Sequence, residues 1–302
     1  MVAALLGVQL FFGTLPIAVK VVLRELTSPA LALARCAGAA VLFVVLHRLL
    51  VRERVRSRRD HVLLAVYAVF GVMLNQLLYI TALAHTTATA AQTVVAAGPA
   101  ITLFIAILAR KETATPLKWA GIAVAGAGAV LLVGAGARTG SAFGNVLALL
   151  NVASYSLYLV ISRGILRRYD ALTVVTWIFV FGALGMVPWG LMPLAREIGG
   201  LHARTWGALV YIILLPTVAA YWLNVFALKR VESSVVSVCG YLQPVITAAV
   251  AIPMLHERIS PRLVPAAALI FAGVAVTLWA GRRERLRRGS APSPAEQEAV
   301  EP

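Results

Sequence analysis

The sequence predicts an all-α integral membrane protein whose ten transmembrane helices form two inverted five-helix repeats around a central cavity. Three observations lead to this fold: the composition, ten apolar runs of membrane-spanning length, and a repeat of the first half in the second. Of 302 residues, 61% are apolar and 13% charged, and the mean hydropathy is +0.88. Soluble domains lie nearer about 45–50% apolar and about 25% charged, so the composition excludes one or two water-soluble domains.

The apolar runs define ten predicted spans, numbered in chain order. They cover residues 3–23, 29–50, 61–83, 88–109, 116–135, 142–162, 171–193, 205–228, 233–255 and 261–281. The connections between them are short, which excludes a large extramembrane domain. Because ten is an even number, both termini lie on the same side of the membrane.

The basic residues predict which side that is. With both termini in the cytoplasm, 19 Lys and Arg residues lie on the cytoplasmic side and 7 on the other. This bias predicts a plasma or inner membrane protein with cytoplasmic termini, whose basic loops meet anionic lipid head groups. It also explains the net charge of +15 without nucleic acid as a partner. The arginine-rich end, residues 282–302, is predicted to be a disordered cytoplasmic tail.

An offset of 145 residues aligns residues 82–134 with residues 227–279. The matches that apolar composition does not explain are Pro99 with Pro244, Thr102 with Thr247, Glu112 with Glu257, Pro116 with Pro261 and Gly128 with Gly273. The sequence therefore predicts one five-span repeat at 1–137 and a second at 138–281. Since five is odd, the halves enter the membrane in opposite orientations, which is typical of transporters that expose a central site to either side in turn.

Polar side chains form stripes along one face of spans 1, 3, 4, 6, 8 and 9. The predicted substrate-binding residues on these stripes are Asn75, Tyr79, Gln92, Tyr155, Tyr158, Trp222, Asn224, Ser237 and Tyr241. Any one of them could equally bond neighbouring helices together as a packing contact. Six stripes paired by the repeat favour a lined central cavity.

Pro99 and Pro244 fall near the middle of spans 4 and 9, where a proline removes one backbone hydrogen bond. A packing kink is one interpretation, and a pair of hinges with freed carbonyls is the favoured one. Glu112 and Glu257 follow the same two spans. Salt bridges, for instance to Lys111 or Arg258, are their expected role.

All twelve acidic residues lie in loops, in the tail or at helix ends. A proton-coupled antiporter of hydrophobic cations needs a carboxylate at the midplane, so the sequence disfavours that mechanism. Lys20 and Arg35 are the cations inside apolar spans. They are candidate charge contacts for a carboxylate or a zwitterion, and snorkelling to the membrane interface is the alternative.

These residues resemble the drug/metabolite transporter superfamily, specifically its EamA-type ten-helix exporters. The resemblance covers about residues 5–280 and rests on Phe12, Gly13, Lys20, Ser28, Pro29, Arg35, Asn75 to Tyr79, Ala82, Leu83, and Pro99 with Glu112 repeated as Pro244 with Glu257. It implies an inner-membrane exporter of amino acids or other small metabolites. It also implies a cavity between spans 1, 3, 4, 6, 8 and 9, the spans that carry the stripes.

The sequence thus predicts a secondary transporter that exports small amphipathic or zwitterionic metabolites by alternating access. Multidrug efflux or nucleotide-sugar-like exchange on the same scaffold is the alternative, with an integral-membrane lipid enzyme less favoured. The five histidines are scattered without metal-ligand spacing and both cysteines lie in apolar stretches, so no enzyme, metal or cofactor is expected. The predicted partners are a small-molecule substrate and the bilayer, and the chain is expected to be a monomer or a homodimer.

Overall fold

The computed structural model of the chain describes residues 2–134, 141–220, 223, 240, 242–258 and 260–289, and these residues contain helices but no β-strand. The α-helices are α1 (Val2–Val22), α2 (Ser28–Leu50), α3 (Arg58–Ala68), α4 (Leu74–His85), α5 (Ala88–Val95), α6 (Gly98–Leu108), α7 (Pro116–Gly134), α8 (Ala142–Ile161), α9 (Ala171–Glu197), α10 (Ala203–Ile213), α11 (Leu242–Leu255) and α12 (Leu263–Gly289). Two π-helical segments, Val69–Met73 and Leu214–Ala219, continue α3 and α10.

Each predicted span has a helical counterpart. In the described part of the chain, seven helices are long and apolar enough to cross a membrane, and three shorter apolar helices cover Leu6–Val22, Ala203–Ala219 and Leu242–Leu255. Span 3 is α3, its π segment and α4 together, and span 4 is α5 followed by α6. The ten-helix membrane fold that the sequence predicts is therefore confirmed.

Glutamates from distant parts of the sequence cap the first turns of four spans. The carboxylates of Glu197, Glu53, Glu257 and Glu25 accept backbone N–H bonds at Thr27, Asp170, Ala88 and His202, at distances of 2.6–2.9 Å. The first N–H groups of a helix have no partner within it and form the positive end of its dipole, so a carboxylate is stabilising there. These acids therefore connect the ends of spans that are far apart in sequence.

Spans 5 and 10 pack with backbone in contact, and they do so symmetrically. A Cβ built on Gly273 would lie 2.6 Å from the Gly121 carbonyl oxygen, and one built on Gly128 would lie 2.7 Å from that of Ala266. The 145-residue repeat pairs Gly128 with Gly273 and Gly121 with Ala266. Each contact is thus the repeat image of the other, as a two-fold relation between the halves requires.

Spans 4 and 9, which are counterparts in the repeat, each contact the opposite half of the protein. The Thr102 hydroxyl, on span 4, donates to the Ser156 hydroxyl on span 6 at 2.8 Å. Its counterpart Thr247, on span 9, donates to the Gly13 carbonyl on span 1 at 2.6 Å. Spans 4 and 9 are therefore each bonded to the first span of the other half.

The last helix is longer than expected. The prediction that disorder begins at Arg282 is wrong for residues 282–289, because α12 continues to Gly289. Arginine is a good helix former, and two side chains fix the extension to the protein. Glu284 forms a 2.7 Å ion pair with Lys118 of span 5. The Arg283 guanidinium lies 4.8 Å from the ring centre of Trp279, one turn earlier in the same helix.

Candidate functional site

Three glutamine side chains form a continuous hydrogen-bonded chain between the halves. Gln243, on α11, donates to the Gln9 side-chain oxygen on α1 at 2.7 Å. Gln92, on α5, donates to the Gln243 oxygen at 2.8 Å, and the Tyr79 hydroxyl on α4 donates to the Gln92 oxygen at 3.3 Å. Gln9, Gln92 and Tyr79 are buried. The chain therefore joins spans 1, 3, 4 and 9 through uncharged donors and acceptors inside the bundle.

Arg35 lies beside this chain. Its helix α2 packs against α4, which carries Tyr79, and its Nε donates to the Thr217 hydroxyl at 3.3 Å. The residue is only 5% exposed. Lys20 is half-buried, and the carboxylate of Glu257 attracts its ammonium group. The two candidate charge contacts thus have different surroundings, one enclosed by three spans and the other beside an acid.

The predicted residues of span 6 lie against span 3. A Cβ built on Gly71 would lie 2.7 Å from the Tyr158 ring, which shows that this ring packs directly on the π-helical segment of span 3. Tyr155 lies beside Tyr158, with 5.7 Å between ring centres, and is 44% exposed. Asn75 contributes its backbone carbonyl, which accepts from the side chain of Asn151 at 2.7 Å. At this point the polar stripe of span 6 makes packing contacts with span 3, and its role in substrate binding stays a prediction.

Span 4 is interrupted close to its centre. α5 ends at Val95, a turn covers Ala96 and Ala97, and α6 begins at Gly98 with Pro99 in its first turn. A proline is well tolerated in the first turn of a helix because its missing N–H has no helical partner there. Pro244 is buried in the first turn of α11. The hinge role of both prolines stays a prediction.

The remaining predicted binding residues are Trp222, Asn224, Ser237 and Tyr241, which lie outside the described residues. The part of span 9 before Gln243 lies outside them as well, apart from Gly240 and Leu242. The described portion of the site is therefore formed by spans 1, 3, 4, 6 and the second part of span 9, with Arg35 and Thr217 from spans 2 and 8.

The family to which this chain belongs follows from its two halves. The sequence pattern of the EamA-like transporter family matches residues 1–134 and matches again over residues 142–279. The chain is a member of the EamA-like transporter family. It is therefore a multi-pass membrane protein that acts as a transporter.

Two relatives of this EamA-like transporter come from Archaeoglobus fulgidus, and each is described as an uncharacterized transporter. One is 32% identical over 200 residues, covering 65% of this chain and 68% of its own. The other is 23% identical over 268 residues, covering 89% and 95%. A crystal structure with 23% identity matches 93% of this chain and 98% of its own with a TM-score of 0.59, a likeness that concerns the fold.

Sequence reasoning about this EamA-like transporter missed Gln243 and Thr217 as parts of the site. Gln243 aligns with Gly98 in the repeat, so the comparison of halves gave it no polar counterpart. The available signal was its position directly before Pro244, as a polar residue in the middle of an apolar span. No sequence signal pointed to Thr217. A threonine in an apolar span commonly bonds to its own helix, as Thr217 also does to the Ile212 carbonyl.

The salt-bridge role expected for Glu112 is confirmed, with other partners than Lys111, whereas the role expected for Glu257 is wrong. Glu112 contacts Lys118 at 3.4 Å and Arg163 at 3.9 Å, whereas Lys111 donates to a backbone carbonyl instead. Glu257 caps the start of α5 and makes no ion pair with Arg258 among the described residues. The reason is geometric: a free helix N-terminus offers several aligned N–H donors, which a flexible neighbouring side chain does not.

Proposed function

We propose that this transporter exports small zwitterionic or amphipathic metabolites, amino acids among them, across the inner membrane by alternating access. The observation that carries the proposal is the chain of Gln9, Gln243, Gln92 and Tyr79. It joins helices of both halves, so motion of one half against the other must break or form its bonds.

The chemistry of this chain suits a polar solute without demanding a net charge. Amide groups offer both donors and acceptors, so they can bind an ammonium and a carboxylate alike. Each of these hydrogen bonds contributes only about 0.5–1.5 kcal/mol net, because water or a solute can replace it. The polar groups of this chain therefore bond to one another and can exchange those bonds for a ligand at small cost.

The surrounding charges support the same solute class. No carboxylate in the described part of the chain bonds to the glutamines or to Tyr79. A buried carboxylate is the group with which a membrane protein exchanges a proton for a hydrophobic cation. Multidrug efflux therefore lacks a supporting group among these residues, and a neutral polar solute fits better.

Transport by the purified protein in liposomes tests the proposal. We expect the protein to move labelled amino acids, and we expect Gln92→Leu or Gln243→Leu to lower the initial rate about tenfold. An unpaired buried amide costs about 1–3 kcal/mol, and about 1.4 kcal/mol corresponds to a factor of ten. Gln76→Leu is the matched control, because Gln76 is a buried glutamine of span 3 outside this hydrogen-bonded chain.

Three results would contradict the proposal. The first is no transport of any amino acid by the unmodified protein. The second is accumulation of organic cation dyes driven by a pH gradient, which would favour drug efflux. The third is an equal loss of rate in all three glutamine variants, which would mean that the glutamines act only in packing.

A further inference from the structure

Arg35 is a buried positive charge without a carboxylate partner among the described residues. It is 5% exposed, and none of the ion pairs found in that part of the chain includes it. Removing a charged group from water without a counter-charge is costly, and such residues inside membrane spans are typically functional. A packing role would be met more cheaply by an apolar side chain of similar volume.

The position of Arg35 differs from that of a side chain that reaches the membrane interface. It lies seven residues after Ser28, which is about 10 Å along α2. Its side chain is enclosed by neighbouring spans and contacts Thr217 on span 8. The charge therefore stays inside the bundle, where span 2 contacts span 8 and also packs against α4, which carries Tyr79.

Thr217 holds the guanidinium by one edge. Its hydroxyl accepts from Arg35 Nε and donates to the Ile212 carbonyl, and it lies in the π-helical segment Leu214–Ala219. π-Helical turns often occur at functional sites because they redirect a side chain. With Nε bonded, the two terminal nitrogens remain as a planar pair of donors, and no hydrogen bond from either to a described residue is found.

Such a pair of donors is suited to a carboxylate. Arginine binds carboxylates with two parallel hydrogen bonds, a geometry that a lysine does not offer. On the side of Tyr79, the glutamine chain offers amide oxygens that can accept from an ammonium group. A zwitterion with its carboxylate at Arg35 and its ammonium toward Gln92 would satisfy both.

We propose that Arg35 is the carboxylate-binding subsite of the transported solute, so that the protein selects amino acids over the matching amides. This inference rests on the proposed function, because it assigns a residue to the recognition step of that transport. It predicts that the protein prefers an amino acid over its amide whatever the side chain of that amino acid is.

Paired substrates test this assignment. Liposomes containing the full-length protein would be given labelled leucine, threonine and phenylalanine, each compared with its α-amide. We expect the unmodified protein to prefer the acids at least tenfold in initial rate at low concentration. Arg35→Gln should remove this preference by slowing the acids about tenfold or more while leaving the amides nearly unchanged. Arg35→Lys should keep part of the preference, because it keeps the charge but not the planar pair of donors.

Thr217→Val is the matched control, because it removes the bond to Nε while leaving the guanidinium in place. It should raise the KM for acids severalfold and retain the preference over amides.

If Arg35→Gln and Arg35→Lys both slow acids and amides alike and lower the melting temperature, the residue is structural and the assignment is wrong. An unchanged preference in Arg35→Gln also overturns it while the proposed function stands. If neither acids nor amides are moved by the unmodified protein, the proposed function fails and this subsite with it.

Discussion

Spans 5 and 10 keep the symmetry of the repeat, whereas the residues that follow spans 4 and 9 depart from it. Between spans 5 and 10, Gly128 meets Ala266 as Gly273 meets Gly121, two images of one contact. At the other place the counterparts Glu112 and Glu257 have different partners, a pair of basic side chains and a helix N-terminus.

This difference indicates which parts of the protein are rigid. In an inverted-repeat transporter, the two extreme conformations exchange the roles of the halves. A contact that is the same in both halves serves both conformations unchanged. A contact made by only one of two counterparts belongs to one conformation. We therefore expect spans 5 and 10 to act as scaffold and the Glu257 cap to change during transport.

The largest effect is expected where the symmetric contact is broken. Gly273→Ala would put a methyl group against the backbone of Gly121 and Ala125, which is unable to rotate away as a side chain would. We expect a loss of about 3 kcal/mol in the free energy of unfolding, at the upper end for overpacked sites. Thermal or denaturant unfolding of the purified protein measures it.

Gly126→Ala is the control for that substitution. It lies on the same span 5, and a Cβ there would meet nothing within 4 Å. Alanine favours the helix over glycine by up to about 1 kcal/mol, so this variant should be as stable as the unmodified protein or more so. Equal destabilisation by both variants would mean that the close approach of spans 5 and 10 is wrong.

The next largest loss of stability is expected at Glu257, whose contacts differ from those of its counterpart Glu112. Glu257 accepts from the backbone N–H groups of Ala88 and Thr89 and from the Thr89 hydroxyl, at 2.6, 3.2 and 2.9 Å. Glu257→Gln removes the charge from this helix end, and we expect a loss of about 2 kcal/mol. Glu112→Gln should cost less than half as much, because Lys118 keeps its shorter ion pair with Glu284 and Glu112 is exposed.

Unfolding of the two variants side by side measures this asymmetry. A larger loss in Glu112→Gln than in Glu257→Gln would reverse the comparison and would contradict the cap as the stronger of the two contacts. Thr89→Val provides a graded test, since it removes the hydroxyl bond and leaves both backbone bonds. Its effect should be a fraction of that of Glu257→Gln.

The sequence predicts the scaffold better than it predicts the site. Ten apolar runs and an exact spacing of 145 residues identify the spans and the repeat, because lipid requires long apolar helices and symmetry leaves matched Pro, Glu and Gly residues. Tyr79 and Gln92, which the structure joins by a hydrogen bond, were predicted as site residues from polar stripes on helical faces, and that role stays a prediction. These signals are local in sequence or periodic.

The contacts that sequence analysis missed are neither local nor periodic. The bond from Gln243 to Gln9 joins residues 234 apart, and that from Arg35 to Thr217 joins residues 182 apart. The glutamate caps join residues that are between 117 and 177 positions apart in sequence. A carboxylate at a helix end is compatible with several partners, and only the packing of the spans decides which helix N-terminus it reaches.

The smallest effect concerns Glu25, a cap of the same kind as Glu257 that connects the loop after α1 to the start of α10. The backbone N–H of His202 holds the pKa of the Glu25 carboxyl below its ordinary value, with a further contribution from the Thr205 hydroxyl. A carboxyl whose pKa is lowered by folding stabilises the protein at neutral pH, and that contribution is lost as the pH falls through its folded-state pKa. We expect Glu25→Gln to melt slightly below the unmodified protein at neutral pH, with the difference disappearing in acid. The effect is small because the pair is partly exposed and solvent screens it.

His202→Gln keeps the backbone donor and should therefore retain most of the pH dependence. A pH dependence abolished by His202→Gln would instead assign the stabilisation to the imidazole, and Glu25 would then differ from Glu257 in kind.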